Sequence, residues 1–192
     1  MDDPQTSGFG ADTPTGSRPP PPVVWVIALG GSVGGTLAAI VENSAHAMNP
    51  LMGVLLLVAV APAVEEICKP LAIVFLLDKR PRWLRSPWEI IALAAVSAVV
   101  FATLENLLYI FVNYRQGSAA FVLYRLTVCT AVHVAASVVF GFGLVKMWRH
   151  IRASGGRFDI DVCFRYYVAA AVIHGCYNGT AFLLTWLGVL RF

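Results

Sequence analysis

Residues 51–77 read LMGVLLLVAVAPAVEEICKPLAIVFLL, an apolar stretch interrupted by three ionisable side chains, Glu65, Glu66 and Lys69. Apart from those three it is long enough to span a membrane, since a bilayer core needs roughly 20 consecutive apolar residues. Pro62 and Pro70 predict a kink or a break inside it, because proline lacks a backbone N–H and its ring clashes with the preceding turn. Four more apolar runs accompany it, Val23–Val41, Glu89–Phe111, Ala119–Met147 and Tyr166–Leu190. These runs predict an all-α polytopic membrane protein, a bundle of about five transmembrane helices around a polar intramembrane site.

The rest of the composition fits that fold class. Of 192 residues, 58% are hydrophobic and 13% charged, with a mean hydropathy of +0.71. A soluble domain carries about 25% charged residues, so a soluble globular enzyme is excluded. A net charge of +3, scattered over separate loops, makes no basic stripe and argues against nucleic acid as a partner. The lipid bilayer is the partner that the composition does imply.

Residues 1–22 are polar and rich in Pro and Gly, and they read as a disordered cytoplasmic tail. Asp2, Asp3 and Asp12 against Arg18 argue against a cleaved signal peptide. Residues 23–192 form the transmembrane domain. Lys79, Arg80, Arg82 and Arg85 follow the second run, and Lys146, Arg149, Arg152, Arg157 and Arg165 follow the fourth; the opposite loops hold only Arg115. The positive-inside rule then predicts a multi-pass protein of the cell membrane with its N-terminus and basic loops in the cytoplasm. Gly30/Gly34 and Gly31/Gly35 are overlapping GxxxG spacings that permit close helix contact, either inside the bundle or in a homodimer. Cys68, Cys129, Cys163 and Cys176 show no metal or disulfide spacing and read as small apolar fillers.

The chemistry lies in the polar residues left inside the apolar runs: Glu65, Glu66, Lys69, Glu105, Arg125, His133 and His174, with Asn106 and Asn178. Each charge costs several kcal/mol at the bilayer centre, so the group requires a shared, partly wet cavity. Glu65, Glu66, His133 and Asn178 lie at or beside the midpoints of their runs. His174 falls roughly 6 Å and Glu105 roughly 7–8 Å from those midpoints at the helical rise per residue. Glu65/Lys69, His174/Asn178 and Phe101/Glu105 are i,i+4 pairs and share helix faces. Arg125, roughly 12 Å from the midplane, snorkels, pairs with Glu105 or grips substrate.

The same residues carry a family resemblance. AVEEICK has an EExxK form, FATLEN an FxxxEN form, His133 is a lone mid-helix histidine, and HGCYN has HxxxN spacing. In this order the set resembles the PrsW family of intramembrane proteases, distant relatives of the CAAX-processing, Abi-type endoproteases. The resemblance implies a glutamic-type peptidase that needs no metal or other cofactor. It implies Glu65 and Glu66 as the catalytic pair, and His174 and Asn178 as oxyanion donors. Glu105 and Asn106 fall at the second motif, where the CAAX-type relatives carry a histidine; His133 is the candidate for that missing partner. A membrane-anchored protein, such as an anti-sigma factor, is the implied substrate.

Peptide hydrolysis needs a base for water and donors where negative charge develops. Glu65 is the candidate base. Glu66, Lys69 and His133 orient the water or share protons, and Lys69, Glu105, Asn106 and Arg125 are supporting or substrate-binding. Two other classes compete. A metal-dependent membrane hydrolase would use Glu65, Glu105, His133 and His174 as ligands, but HExxH is absent. A proton-coupled carrier, or a non-catalytic membrane scaffold, would also place ionisable groups in the bilayer, but no duplicated halves are visible.

Overall fold

A computed structural model of the chain describes Pro22 and residues 24–26, 49–113 and 118–190. Residues 1–21 of the N-terminal tail, most of the first apolar run and Gly30, Gly31, Gly34 and Gly35 lie outside the described residues. Among the described residues every element is helical. Four helices among the described residues are long and apolar enough to cross a membrane, Leu51–Cys68, Pro87–Val112, Ala119–Ala153 and Asp161–Trp186.

The stretch 51–77 is broken, as its prolines predict. It forms α1 (Pro50–Leu55), a π-helical turn (Leu56–Val60), α2 (Ala61–Cys68) and, after a turn at Lys69 and Pro70, α3 (Leu71–Lys79). The N–H groups of Ile73 and Val74 both bond the Pro70 carbonyl, at 2.8 and 2.9 Å. In an unbroken helix Ile73 would have served the Lys69 carbonyl; that carbonyl instead accepts from the Ser97 hydroxyl of the next span. The break is thus stabilised from outside, and it fixes the backbone of Lys69.

Helix α4 (Pro87–Leu108) starts at a proline in the first turn, behind the N-cap Ser86, and runs on into a π turn at Tyr109–Asn113. Ser86 Oγ accepts from the Glu89 N–H at 3.1 Å, while the Glu89 carboxylate reaches back to the Arg85 N–H at 2.5 Å, a reciprocal cap. Helix α5 (Ala119–Tyr124), a π turn (Arg125–Cys129) and α6 (Thr130–Ala153) make the third long span. Helix α7 (Asp161–Trp186) is offset from the apolar run 166–190. It ends because Gly188 adopts φ 69°, a conformation open to glycine, with its N–H on the Thr185 carbonyl at 3.0 Å. The offset moves the middle of this span from Asn178 to His174.

Two layers result. At the end that carries the basic loops, Ile73, Leu76, Leu77, Leu93, Leu144 and Met147 close into a fully buried apolar core. Beyond it, α2, α4, α6 and α7 bury Glu65, Glu66, Lys69, Ser97, His133, Ser137 and His174. Gly175 permits the crossing of α7 over the π turn at 56–60, since a Cβ there would strike the Val58 carbonyl.

Candidate active site

Helix α2 places Glu65 and Glu66 one residue apart, and both are buried. The EExxK spacing then brings the Lys69 ammonium back over the same turn. Lys69 Nζ lies 2.5 Å from Glu66 Oε1 and 3.9 Å from Glu65 Oε2. It also lies 2.8 Å from His133 Nδ1 and 4.8 Å from the centre of the Phe101 ring. Lys69 is 0% exposed, so its charge is held wholly by these neighbours and does not snorkel.

The two histidines are oriented by carboxylates on their outer nitrogens. His133 Nε2 lies 2.9 Å from Glu105 Oε2, and His174 Nδ1 lies 3.0 Å from Glu66 Oε1. A carboxylate only accepts, so each of these nitrogens carries its proton outward. His133 Nδ1 then accepts from Lys69. The inner nitrogens, His133 Nδ1 and His174 Nε2, lie 3.9 and 3.8 Å from Glu65 Oε2, and the rings meet edge to face with centroids 4.5 Å apart. The Ser137 hydroxyl donates to Glu66 Oε2 at 3.3 Å.

Glu105 bridges outward as well: its Oε1 lies 3.1 Å from Arg125 Nη2. Arg125 in turn lies over the Tyr109 ring, with Cζ 3.9 Å from the centroid. Of the three roles open to Arg125 in the sequence, snorkelling, pairing with Glu105 or gripping substrate, the structure has the pair with Glu105.

The two asparagines lie beside this cluster and brace backbone. Asn178 Nδ2 donates to the Leu57 carbonyl at 3.1 Å. The Ala61 N–H bonds back to Leu56 across the π turn, and Pro62, next in line, has no N–H to give. Asn106 Nδ2 donates to the Arg125 carbonyl at 3.0 Å and to Thr130 Oγ1 at 3.1 Å, at the π turn Arg125–Cys129. Each asparagine thus serves a carbonyl that irregular helix geometry exposes, and π turns of this kind are frequent at functional sites.

Of the nine residues expected from sequence, seven form one connected network: Glu65, Glu66, Lys69, Glu105, Arg125, His133 and His174. Asn106 and Asn178 hold the helices on which that network sits. Ser97 and Ser137 belong to the same site, though neither stands out in the sequence as a charge does. Their signal was spacing: Ser97 lies four residues before Phe101 and Ser137 four after His133, each on the face of a site residue.

A family model described as PrsW family intramembrane metalloprotease matches residues 18–192. The chain belongs to the PrsW family. No curated protein and no solved structure matched the chain in the same comparisons. PrsW membership makes this protein a membrane protease, a hydrolase working in the lipid bilayer, and the four apolar spans agree with that location.

The family description names a metal, and by residue type one trio suits it. Glu65, His133 and His174 offer ligand atoms that all lie within 4.8 Å of one another, and all three residues are buried. Two imidazoles and a carboxylate are a catalytic zinc set, and the outer contacts to Glu105 and Glu66 resemble the carboxylate–histidine arrangement around such ions. Lys69 opposes it. The inner lone pair of His133 is directed at Nζ, 2.8 Å away, and the same lone pair cannot also hold a metal. With His133 removed, two protein ligands remain, one fewer than catalytic zinc sites use. The donor set does not fit a divalent ion while the Lys69 ammonium holds this place.

Proposed function

We propose that this PrsW-family protein is a glutamic-type intramembrane endopeptidase in which Glu65 activates the hydrolytic water. The observation that carries the reading is the position of Glu65 Oε2, 3.8–3.9 Å from three basic nitrogens on three different elements: His174 Nε2, His133 Nδ1 and Lys69 Nζ. Gaps of that width suit a bridging water better than direct contact. Three carboxylates (Glu65, Glu66, Glu105) face two fixed cations (Lys69, Arg125), so with neutral imidazoles the cluster is one positive charge short. A single mobile proton fills that deficit, which is what a general base and acid require.

In the proposed reaction Glu65 takes a proton from water, and the hydroxyl adds to the scissile carbonyl carbon. The proton passes between Glu65 and His174 Nε2. When Nε2 carries it, His174 becomes a donor toward the oxyanion. The C–N bond then breaks as the proton moves to the leaving amine, giving a carboxylic acid and an amine. Asn178, expected as a second oxyanion donor, positions His174 from one turn away through its bond to Leu57. The proposed substrate is a membrane-anchored protein, and the proposed orientation places the basic loops and N-terminus in the cytoplasm.

The test compares new protein N-termini in membranes carrying the wild-type protein and Glu65→Gln. Fragments of single-pass membrane proteins present only with the wild type support the reading. The same fragments at the same level with Glu65→Gln overturn it.

A further inference from the structure

We infer that the Lys69 ammonium is the resident cation of this site and keeps divalent metal out of the Glu65–His133–His174 trio. The inference deepens the function proposed above and shares its site. Metal exclusion can nevertheless be measured without any protease assay.

Three features hold the ammonium where a metal would bind. The EExxK spacing returns Nζ to the carboxylates of its own helix, 2.5 Å from Glu66 and 3.9 Å from Glu65. The Pro70 break ends the helix directly after it, and Ser97 ties down the Lys69 carbonyl, so the backbone cannot withdraw the side chain. The Phe101 ring covers Nζ at 4.8 Å, a favourable cation–π contact away from water. Around Nζ are thus two carboxylates, an imidazole lone pair and an aromatic face, the surroundings of a bound cation.

A metal entering the trio would meet two obstacles. His133 Nδ1 would have to release Lys69, because its other nitrogen is committed to Glu105 at 2.9 Å. The ion would then lie a few ångströms from a like charge, which at an effective dielectric constant of about 20 weakens binding by several orders of magnitude. The sequence thus contains a metal-ligand set and, four residues after its first member, the cation that replaces the metal.

The experiment titrates Co²⁺ into the full-length protein purified in detergent, reading bound metal by elemental analysis and ligand geometry by visible absorption. The wild type is compared with Lys69→Met combined with Glu66→Gln. That pair removes the ammonium together with its closest counter-charge, so the net charge of the cluster is unchanged and Glu65 is left to hold the incoming ion. Adding His174→Ala to either protein identifies binding at this site. The expected result is that the wild type holds no His174-dependent Co²⁺, while the double variant binds it at least about 10²-fold more tightly and loses it with His174→Ala. A wild type that retains Co²⁺ through dialysis, and loses it with His174→Ala, overturns the inference, and this arm decides even where the double variant fails to fold. A folded double variant that binds no better than the wild type also overturns it. Full protease activity in Glu65→Gln would instead sink the proposed function and leave the metal result standing.

Discussion

His174 places its Nδ1 3.0 Å from Glu66 Oε1, and that contact decides which nitrogen faces Glu65. With Nδ1–H donating to Glu66, Nε2 presents its lone pair to Glu65 Oε2 across 3.8 Å. The neighbouring glutamates therefore have different work. Glu66 is saturated by Lys69, His174 and Ser137 and serves as a fixed acceptor. Glu65 Oε2 lies 3.8–3.9 Å from His174, His133 and Lys69, a spacing suited to proton exchange through a water.

The two Glu→Gln substitutions should accordingly separate. Glu65→Gln is expected to lower cleavage by at least about 10²-fold, the lower end for loss of a general base, with little change in thermal stability. Glu66→Gln is expected to lower activity and stability together, since it strands the Lys69 charge, a loss of about 3–5 kcal/mol for a buried pair. Cleavage assays and thermal unfolding in detergent read both. Equal stability losses in the two variants would contradict the assignment of roles.

Chelation gives a separate expectation. With Lys69 in the cation position, EDTA or phenanthroline should leave the activity of the purified protein unchanged. Loss of activity that added Zn²⁺ restores would show instead that a metal displaces Lys69 in the working enzyme.

Much of this site was legible in the sequence because membrane spans make polar residues conspicuous. Glu65, Glu66, Lys69, Glu105, Arg125, His133 and His174 stood out as charges in apolar runs, and the structure joins them. The Pro70 break was legible for the same local reason, a missing N–H. What the sequence did not disclose depends on neighbours. The offset of α7, set by a glycine cap beyond Trp186, moved His174 rather than Asn178 to mid-span. Asn178 was expected as an oxyanion donor and Asn106 as a supporting residue; π turns in two other spans give each a backbone carbonyl to serve, and nothing local announces a π turn. Ser97 and Ser137 were hidden because serine is unremarkable in a membrane helix until its partner is known.

Close backbone approach makes a different prediction at two glycines. A Cβ at Gly175 would meet the Val58 carbonyl, whereas a Cβ at Gly53 meets nothing within 4 Å. Gly175→Ala should destabilise by about 1–3 kcal/mol, the range for overpacking. It should also reduce activity, because it pushes His174 and the Asn178–Leu57 bond away from α2. Gly53→Ala should be neutral or stabilising by up to about 1 kcal/mol. Thermal unfolding of both variants checks the contrast, and an unchanged Gly175→Ala would mean that α7 does not cross the π turn this closely.

The ion pair between Glu105 and Arg125, 3.1 Å between Oε1 and Nη2, joins α4 to the span containing α5 and α6. Arg125→Leu alone should destabilise strongly, because it leaves Glu105 buried with one cation fewer, and losses of about 3–5 kcal/mol attend the breaking of buried pairs. Arg125→Leu with Glu105→Leu should recover part of that loss. Recovery stays partial because His133 Nε2 also lies 2.9 Å from Glu105 Oε2, and the double variant leaves that imidazole without its neighbouring carboxylate. Activity cannot serve as the readout, since the same substitution disturbs His133 beside Glu65. The measurement is thermal unfolding of both single variants and the double, with a coupling of about 0.5–3 kcal/mol expected for residues in contact. Strictly additive losses would mean that the two side chains do not sustain one another, and Arg125 would then be a charge held by Tyr109 and the membrane interface alone.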